Sequence, residues 1–376
     1  MKLYEYVIRR LILMVFVLLV VSAIVFYLTR GVLPPGSALA PYITPRMNDA
    51  TKLAEAQSLG VATSSCASWS NFTTGVHGCV VPLYIQYFSW LRNVFAGNWG
   101  YSLIPGIGAG TTTLSLFSGR FPLTAELAIA GAILTIVVAI PMGIISATHN
   151  NKAPDHVSRI VALTGYSMPI FWLGFILQIV FVIYLRIQSG QYSLGLLPSN
   201  GIIGTQCGIC FSLPGTIHSF TGIPVVDSLL SGNLGYFWDS FVALILPTIT
   251  LAYATLGALT RVVRSSMMEA LRQDYILLAK SKGISERTVI YRHALKNAIL
   301  PAITISGLIF AFLLGGVVVV EDIFSWPGVG QAALQASLYF DINFLELYTL
   351  VTALIIVVAN LSVDVLYAFL DPRIRY

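Results

Sequence analysis

Charge is scarce in this chain. Only 10% of its 376 residues are Asp, Glu, Lys or Arg, while 56% are hydrophobic. A soluble domain carries about a quarter charged residues. So little charge cannot cover a globular surface of this size, which excludes a soluble enzyme, a coiled coil and a disordered protein. Catalytic signatures are missing as well. The five histidines, His77, His149, His156, His218 and His293, form no H-E-x-x-H pair, and neither a G-x-S-x-G elbow nor a G-x-x-x-x-G-K-[S/T] loop occurs. Without that phosphate loop the chain has no usual route to ATP hydrolysis, and it reads as a non-enzyme. The net charge of +5 is small, and its distribution argues against nucleic acid.

Long apolar runs are abundant instead. Six segments approach the roughly 20 apolar residues that a membrane crossing needs: Leu11–Thr29, Leu127–Thr148, Ile160–Leu185, Ser240–Thr260, Asn297–Val320 and Leu347–Leu370. Only the last holds a formal charge, Asp364. The first follows Lys2, Arg9 and Arg10 as a signal peptide would. Its length and the lack of an A-x-A-like cleavage site favour a retained helix. The fold class is an all-α polytopic membrane protein with six transmembrane helices and long extracytoplasmic loops.

Lys/Arg bias sets the orientation. With both termini cytoplasmic, 15 of the 21 basic residues lie inside, and only Arg30, Arg46, Lys52, Arg92, Arg120 and Arg186 lie outside. The loop Ile187–Trp238 has no Lys or Arg, and Glu321–Glu346 carries only acids. This organises the chain as a first span with a cytoplasmic N-terminus (1–30), an extracytoplasmic region (31–120) and a core of five spans (121–376), all in the cell membrane. All four cysteines, Cys66, Cys79, Cys207 and Cys210, fall in the two outer loops, where an oxidising environment favours disulfides. Nearness in sequence favours Cys66–Cys79 and Cys207–Cys210; cross-pairing is the alternative. The Cys207–Cys210 spacing also suits a zinc knuckle with His218, His77 or Cys79, but the oxidising side favours sulfur bridges over any metal. Asn71-Phe72-Thr73 is a glycosylation sequon in the first loop.

Pro82–Asn98 interleaves Tyr84, Tyr87, Phe88, Trp90 and Phe95, a pattern for a helix on the outer membrane surface or for a packed lid. The acids at membrane depth are confined to Glu126, at the edge of the second span, and Asp364, near the end of the last. That argues against the mid-membrane relay of a proton-driven transporter or stand-alone channel. A pathway here would be lined by small, hydroxyl and amide groups, with Ser167, Gln178 and Thr250 as candidates. Pro141, Pro169, Pro247 and Pro301 interrupt four apolar segments, which membrane helices tolerate as kinks.

The stretch Arg261–Ile303 stands apart because it is basic and patterned. Asp274-Tyr275 leads into Ala279-Lys280-Ser281-Lys282-Gly283, a helix stopped by Gly with cations in its last turn. A second amphipathic helix, Ser285–Asn297, sets Val289, Ala294 and Leu295 among Arg287, Arg292, His293 and Lys296, an apolar ridge with a basic rim for a soluble partner.

Ala279, Gly283 and Leu300-Pro301 resemble the cytoplasmic EAA-type loop of binding-protein-dependent ABC importer permeases. More narrowly, DYILLAKSKG and VIYRHALKNAILP resemble the oligopeptide/dipeptide permease family, in its first-permease type. YEYVIRRLILM, QYFSWLRNVFAGNWGYS, RFPLTAELAIAGAI, VEDIFSWPGVGQ and LYAFLDPRIRY carry the likeness over most of residues 1–30 and 80–376. Leu277 and Leu278 stand where the general pattern has Glu and Ala, and stretches 41–80 and 202–231 are longer than usual. The resemblance implies a type I ABC importer permease fold. It also implies a homologous second permease as heterodimer partner, two ABC ATPase subunits that bind ATP-Mg, and an extracellular solute-binding protein. The cargo would be oligopeptides or dipeptides, with oligosaccharides or nickel as alternatives. The coupling loop would span 261–296, with Asp274, Ala279, Gly283, Ser285, Arg287, Val289, Arg292, His293, Leu295 and Asn297 at the joint and Pro301 opening the fifth span.

Overall fold

The computed structural model describes residues 3–32, 39, 42–43, 46–58, 60–76, 78–184, 220–315 and 317–370. The Cys207–Cys210 pair and the side chain of Asp364 lie outside these residues. Among the described residues the fold is helical, with two isolated bridges, Ala62–Val80 and Tyr101–Thr112. In chain order the helices are α1 Leu3–Phe26, α2 Asp49–Ser58, α3 Trp69–Thr73, α4 Leu83–Phe95, α5 Thr113–Thr148, α6 Ala153–Ser167, α7 Ile170–Gln178 and α8 Pro224–Leu230. There follow α9 Leu234–Leu271, α10 Asp274–Ser281, α11 Glu286–Thr288, α12 Leu295–Leu314, α13 Val318–Ile323, α14 Val329–Leu338 and α15 Ile342–Leu370.

Among the described residues, five helices are long and apolar enough to cross a membrane: Ile8–Gly31, Thr113–Thr148, Leu234–Leu271, Glu286–Leu314 and Ile342–Val363. A sixth crossing arises if the pair Ala153–Ser167 and Ile170–Phe181, bent by 103°, forms one span. The bend sits at Pro169. Proline disfavours a helical residue before it, and Met168 is extended at φ −82° and ψ 126°. The other three prolines of the apolar runs, Pro141, Pro247 and Pro301, lie inside continuous helices. The fifth run is shorter than its hydropathy suggests. Its helix closes at Leu314, and a separate turn of helix begins at Val318.

Two compact units form. One comprises Met1–Ile8, Pro122–Gln331 and Ile355–Tyr376; the other comprises Arg9–Phe121 and Ala332–Leu354. In the first, α6 meets α9 at glycines. A Cβ on Gly165 would stand 2.6 Å from the Tyr253 carbonyl oxygen, and one on Gly257 would collide with the Ala162 carbonyl. Small residues let membrane helices approach this closely, because dispersion rather than hydrophobic burial holds them together. At another corner of the same unit Glu321, fully buried, accepts from Thr124 Oγ1 at 2.7 Å and Gln331 N at 2.9 Å, while Trp326 Nε1 donates to the Leu123 carbonyl at 3.0 Å. The segments RFPLTAELAIAGAI and VEDIFSWPGVGQ thus meet as one buried polar knot.

The second unit is knotted in the same manner. Glu346 is buried and accepts from Trp90 Nε1 at 2.7 Å, Thr29 Oγ1 at 2.9 Å and Arg30 Nε at 3.1 Å. Asp341, also buried, takes Ser102 Oγ at 2.6 Å and Leu103 N at 2.8 Å. Three of the four acids of Glu321–Glu346, Glu321, Asp341 and Glu346, therefore owe their places to buried hydrogen bonding, while Asp322 is exposed. Cys66 and Cys79 form a disulfide within a small core of Leu39, Leu53, Ala56 and Phe72. Asn71 sits on α3, half-buried.

Candidate coupling site

The basic stretch is built on the end of α9, which runs to Leu271 with Arg272 as its cap. α10 then starts at Asp274, whose carboxylate sits in the first turn beside the free N–H groups. Its end is a glycine-stopped helix. Gly283 has φ +73°, the Ile284 N–H donates to the Ala279 carbonyl at 3.3 Å and the Gly283 N–H to the Lys280 carbonyl at 3.0 Å. This pair of bonds is the Schellman closure, which needs a left-handed residue at that position. A Cβ at Gly283 would meet no neighbour within 4 Å, so dihedral strain alone opposes substitution. Gly283→Val should strain the turn by about 1–2 kcal/mol and swing α11 away from α10. The expected result is normal membrane insertion with uptake reduced, measured with ATP hydrolysis on the same vesicles.

Beyond the turn, Ser285 precedes α11, and its Oγ lies 2.9 Å from Thr288 Oγ1. No separate short helix ends at Asn297. The chain runs from Glu286 through a π-helical stretch, Val289–Ala294, directly into α12. Pro301 accordingly lies inside α12 rather than opening it. Asn297 Nδ2 donates to Tyr275 Oη at 3.0 Å, which pins α12 to α10.

The apolar ridge expected on Val289, Ala294 and Leu295 is not offered to a partner. Val289 and Ala294 are fully buried in a core with Ala279, Ile276, Met267, Val263 and Ala298, and Leu295 packs against it half-buried. The amphipathic face is consumed by the protein's own α9 and α10. Other apolar side chains of the segment remain outside: Leu277 at 67% exposure, Leu278 at 57% and Tyr291 at 54%. Lys280, Lys282, Arg287, Arg292 and Lys296 of the same segment are exposed too, as are Asp274, Ser285 and Asn297, and His293 is half-buried. The two leucines that depart from the Glu-Ala pattern are the exposed apolar residues of α10. In the sequence the signal for this exposure is two adjacent leucines on a short helix, with Lys280 and Lys282 just after them.

One residue without any sequence signal organises this region. Asp155, at the start of α6, is fully buried and accepts from Ser146 Oγ at 2.6 Å and Asn151 N at 2.9 Å. Arg264 closes on it with Nε at 2.9 Å and Nη2 at 3.1 Å, a two-pronged carboxylate grip. Arg264 also reaches Asn150 Oδ1 at 3.0 Å. Below this pair lies an open hollow of about 420 Å³ lined by Arg264, Ser265, Met268, Glu269, Arg272 and Gln273.

The three candidate pathway residues are scattered. Ser167 is exposed at the α6–α7 break, and Gln178 donates to the Ile323 carbonyl at 2.9 Å. Thr250 is fully buried with its hydroxyl bonded to the Leu246 carbonyl, so it lines no open face of this chain. Its own helix already satisfies the hydroxyl that the sequence offers to a solute.

A helical membrane chain with this basic, glycine-stopped joint belongs to the family of binding-protein-dependent transport system inner membrane components, whose model matches residues 139–376. It is a permease component of such a transport system. Among its relatives, the dipeptide transport system permease protein DppB of Alkalihalophilus pseudofirmus is 38% identical over 298 residues, covering 78% of this chain and 82% of that one. The di/tripeptide permease DppB of Pseudomonas aeruginosa is 37% identical over 295 residues, covering 78% and 82%. The oligopeptide permease AppB of Bacillus subtilis is 31% identical over 373 residues, covering 99% of both chains.

Proposed function

We propose that this permease is one half of an ATP-driven importer for short peptides. It would pair with a homologous permease, take substrate from an extracellular solute-binding protein, and be driven by two ATPase subunits that bind ATP-Mg. The observation that carries the ATPase contact is the exposure of Leu277, Leu278 and Tyr291 within an otherwise polar, basic segment. Uncovered large apolar side chains on such a segment mark a protein-docking face. Closure of the ATPases would push α10 and α11, and the packed core beneath would pass the push to α9 and α12 as a rigid-body rocking of the spans. The chain itself supplies no hydrolytic chemistry.

Peptide cargo follows from what the relatives carry, and it agrees with spans poor in fixed charge, which would pass peptides of varied sequence. The test is reconstitution of the full complex in vesicles with uptake of labelled di- and oligopeptides, an oligosaccharide and nickel. Peptide uptake that stops without ATP is the expected result. Uptake of the sugar or the metal alone would overturn the peptide reading, and uptake without ATP would overturn the importer reading.

The orientation we propose places both termini and the joint in the cytoplasm, on the 15-to-6 partition of Lys and Arg. The Cys66–Cys79 bridge agrees, since disulfides persist on the oxidising side. With Cys207 and Cys210 replaced by Ser, Leu230→Cys should react with an impermeant thiol reagent added outside, and Ser285→Cys should not. Both positions are exposed. The reverse labelling pattern would invert the topology.

A further inference from the structure

The transport reading leaves one exposed surface unused. Helix α4 presents a ridge of Tyr84, Phe88 and Phe95, at 65%, 65% and 81% exposure. Steps of four and seven residues put these three on one helical face. Its opposite face is polar or inward: Gln86 and Trp90 are buried, and with Ser89 and Asn93 they line a small polar hollow of about 120 Å³ that also holds Tyr42, Asn98 and Asn343. The helix is therefore apolar on the side turned away from the rest of its unit.

Its position relative to the first span is fixed by contacts within the same unit. Tyr87 Oη lies 2.8 Å from Ser22 Oγ, and the Phe26 ring stands 5.4 Å from those of both Tyr87 and Trp90. Phe26 and Ser22 occupy the last turns of the span that ends at Gly31, within about 15 Å of that end at 1.5 Å per residue. Helix α4 thus rests where the first span leaves the hydrocarbon. The neighbouring surface of the span is itself apolar and uncovered, with Ile24, Tyr27 and Leu28 all more than half exposed. Phe88 continues it through an edge contact with Tyr87 at 5.6 Å. At 13 residues the helix is about 20 Å long, too short to cross a bilayer. Aromatic side chains with a polar back are the composition of membrane boundaries.

We infer that α4 is a monotopic anchor lying in the membrane–water interface at the Gly31 end of the first span, its Tyr84–Phe88–Phe95 ridge seated among lipid acyl chains and headgroups. The occupant of this face is lipid, because the ridge continues the surface of a membrane span, and the exposed Arg92 at its flank is the cation that phospholipid headgroups accept at such a boundary. Which leaflet it enters follows from the orientation proposed above, but the inference stands for either side.

The test uses the complete complex in vesicles of phosphatidylethanolamine and phosphatidylglycerol. A benzoylphenylalanine placed at Tyr84, Phe88 or Phe95 should, on irradiation, give adducts carrying phospholipid, and one at Asn93 should give none. Adducts to the second permease or to the solute-binding protein at Phe88 and Phe95 would overturn the proposal, as would the absence of lipid adducts at all three ridge positions. An independent reading comes from nitroxides on Phe88→Cys, Phe95→Cys and Asn93→Cys, with Cys207 and Cys210 replaced by Ser. The ratio of nickel-chelate to oxygen accessibility should be several-fold lower at the two ridge positions than at Asn93. Equal ratios would overturn the proposal.

Discussion

Leu278→Asp is expected to leave the membrane helices folded while separating the permease from its ATPase. The side chain is 57% exposed and touches none of the core beneath the joint, so insertion and thermal stability in detergent should match the parent. At a docking face the same change removes apolar burial worth about 1.5–3 kcal/mol and leaves a carboxylate uncompensated at a cost of about 3–5 kcal/mol. Every 1.4 kcal/mol is about tenfold in affinity, so co-purification of the ATPase should fall by more than about a hundredfold and uptake should vanish. Leu277→Asp should act alike. Leu295→Asp is the informative contrast. Leu295 packs into the protein's own core, so its replacement should lower the melting temperature and the yield. If Leu278→Asp retains its ATPase and Leu295→Asp loses it without loss of stability, the docking face has been assigned to the wrong side of the segment.

Asp155→Ala should be the most destabilising polar substitution in the joint. It strands Arg264 without its two-pronged partner and frees Ser146 Oγ and Asn151 N. Breaking a buried pair by removing one member costs about 3–5 kcal/mol, because the remaining charge stays partly desolvated. The Arg264 side chain is 22% exposed, so water recovers some of this and about 3 kcal/mol is expected. A detergent melting curve should shift down by several degrees, with ATP hydrolysis less responsive to added substrate. Arg264→Lys should show a smaller shift, since an ammonium cannot grip both oxygens in the same plane. Unchanged melting of Asp155→Ala would show that the pair contributes nothing net.

The spans were legible because crossing a bilayer requires some twenty apolar residues in a row, a demand that chemistry writes directly into sequence. Gly283 was legible for a similar reason, since few residues besides glycine accept its positive φ at low cost. Direction was harder to read. Periodicity shows that Val289 and Ala294 share a face, but a chain's own α9 and α10 compete for that face with any partner, and here they take it. Asp155 and Arg264 lie 109 residues apart, and Glu346 gathers Trp90 and Arg30 from more than 250 residues away. Such pairings depend on tertiary folding and leave no local pattern. The end of the fifth helix at Leu314 was likewise hidden, because the apolar run continues through Val317–Val320 after the helix has stopped.

The π-helical stretch Val289–Ala294 has a bearing on how this segment can change length. A π turn holds one residue more than the α turn it replaces, so the helix on either side keeps its rotational phase only because the surplus is absorbed there. Removing one residue from this stretch would let it close to a regular α turn while Glu286 and Asn297 still face as they do. The same deletion a turn later, inside α12, would rotate everything upstream by about 100° and carry Val289 out of the core. Length variation among homologous segments should therefore collect between 289 and 294, as single-residue gaps opposite chains whose helix is regular there.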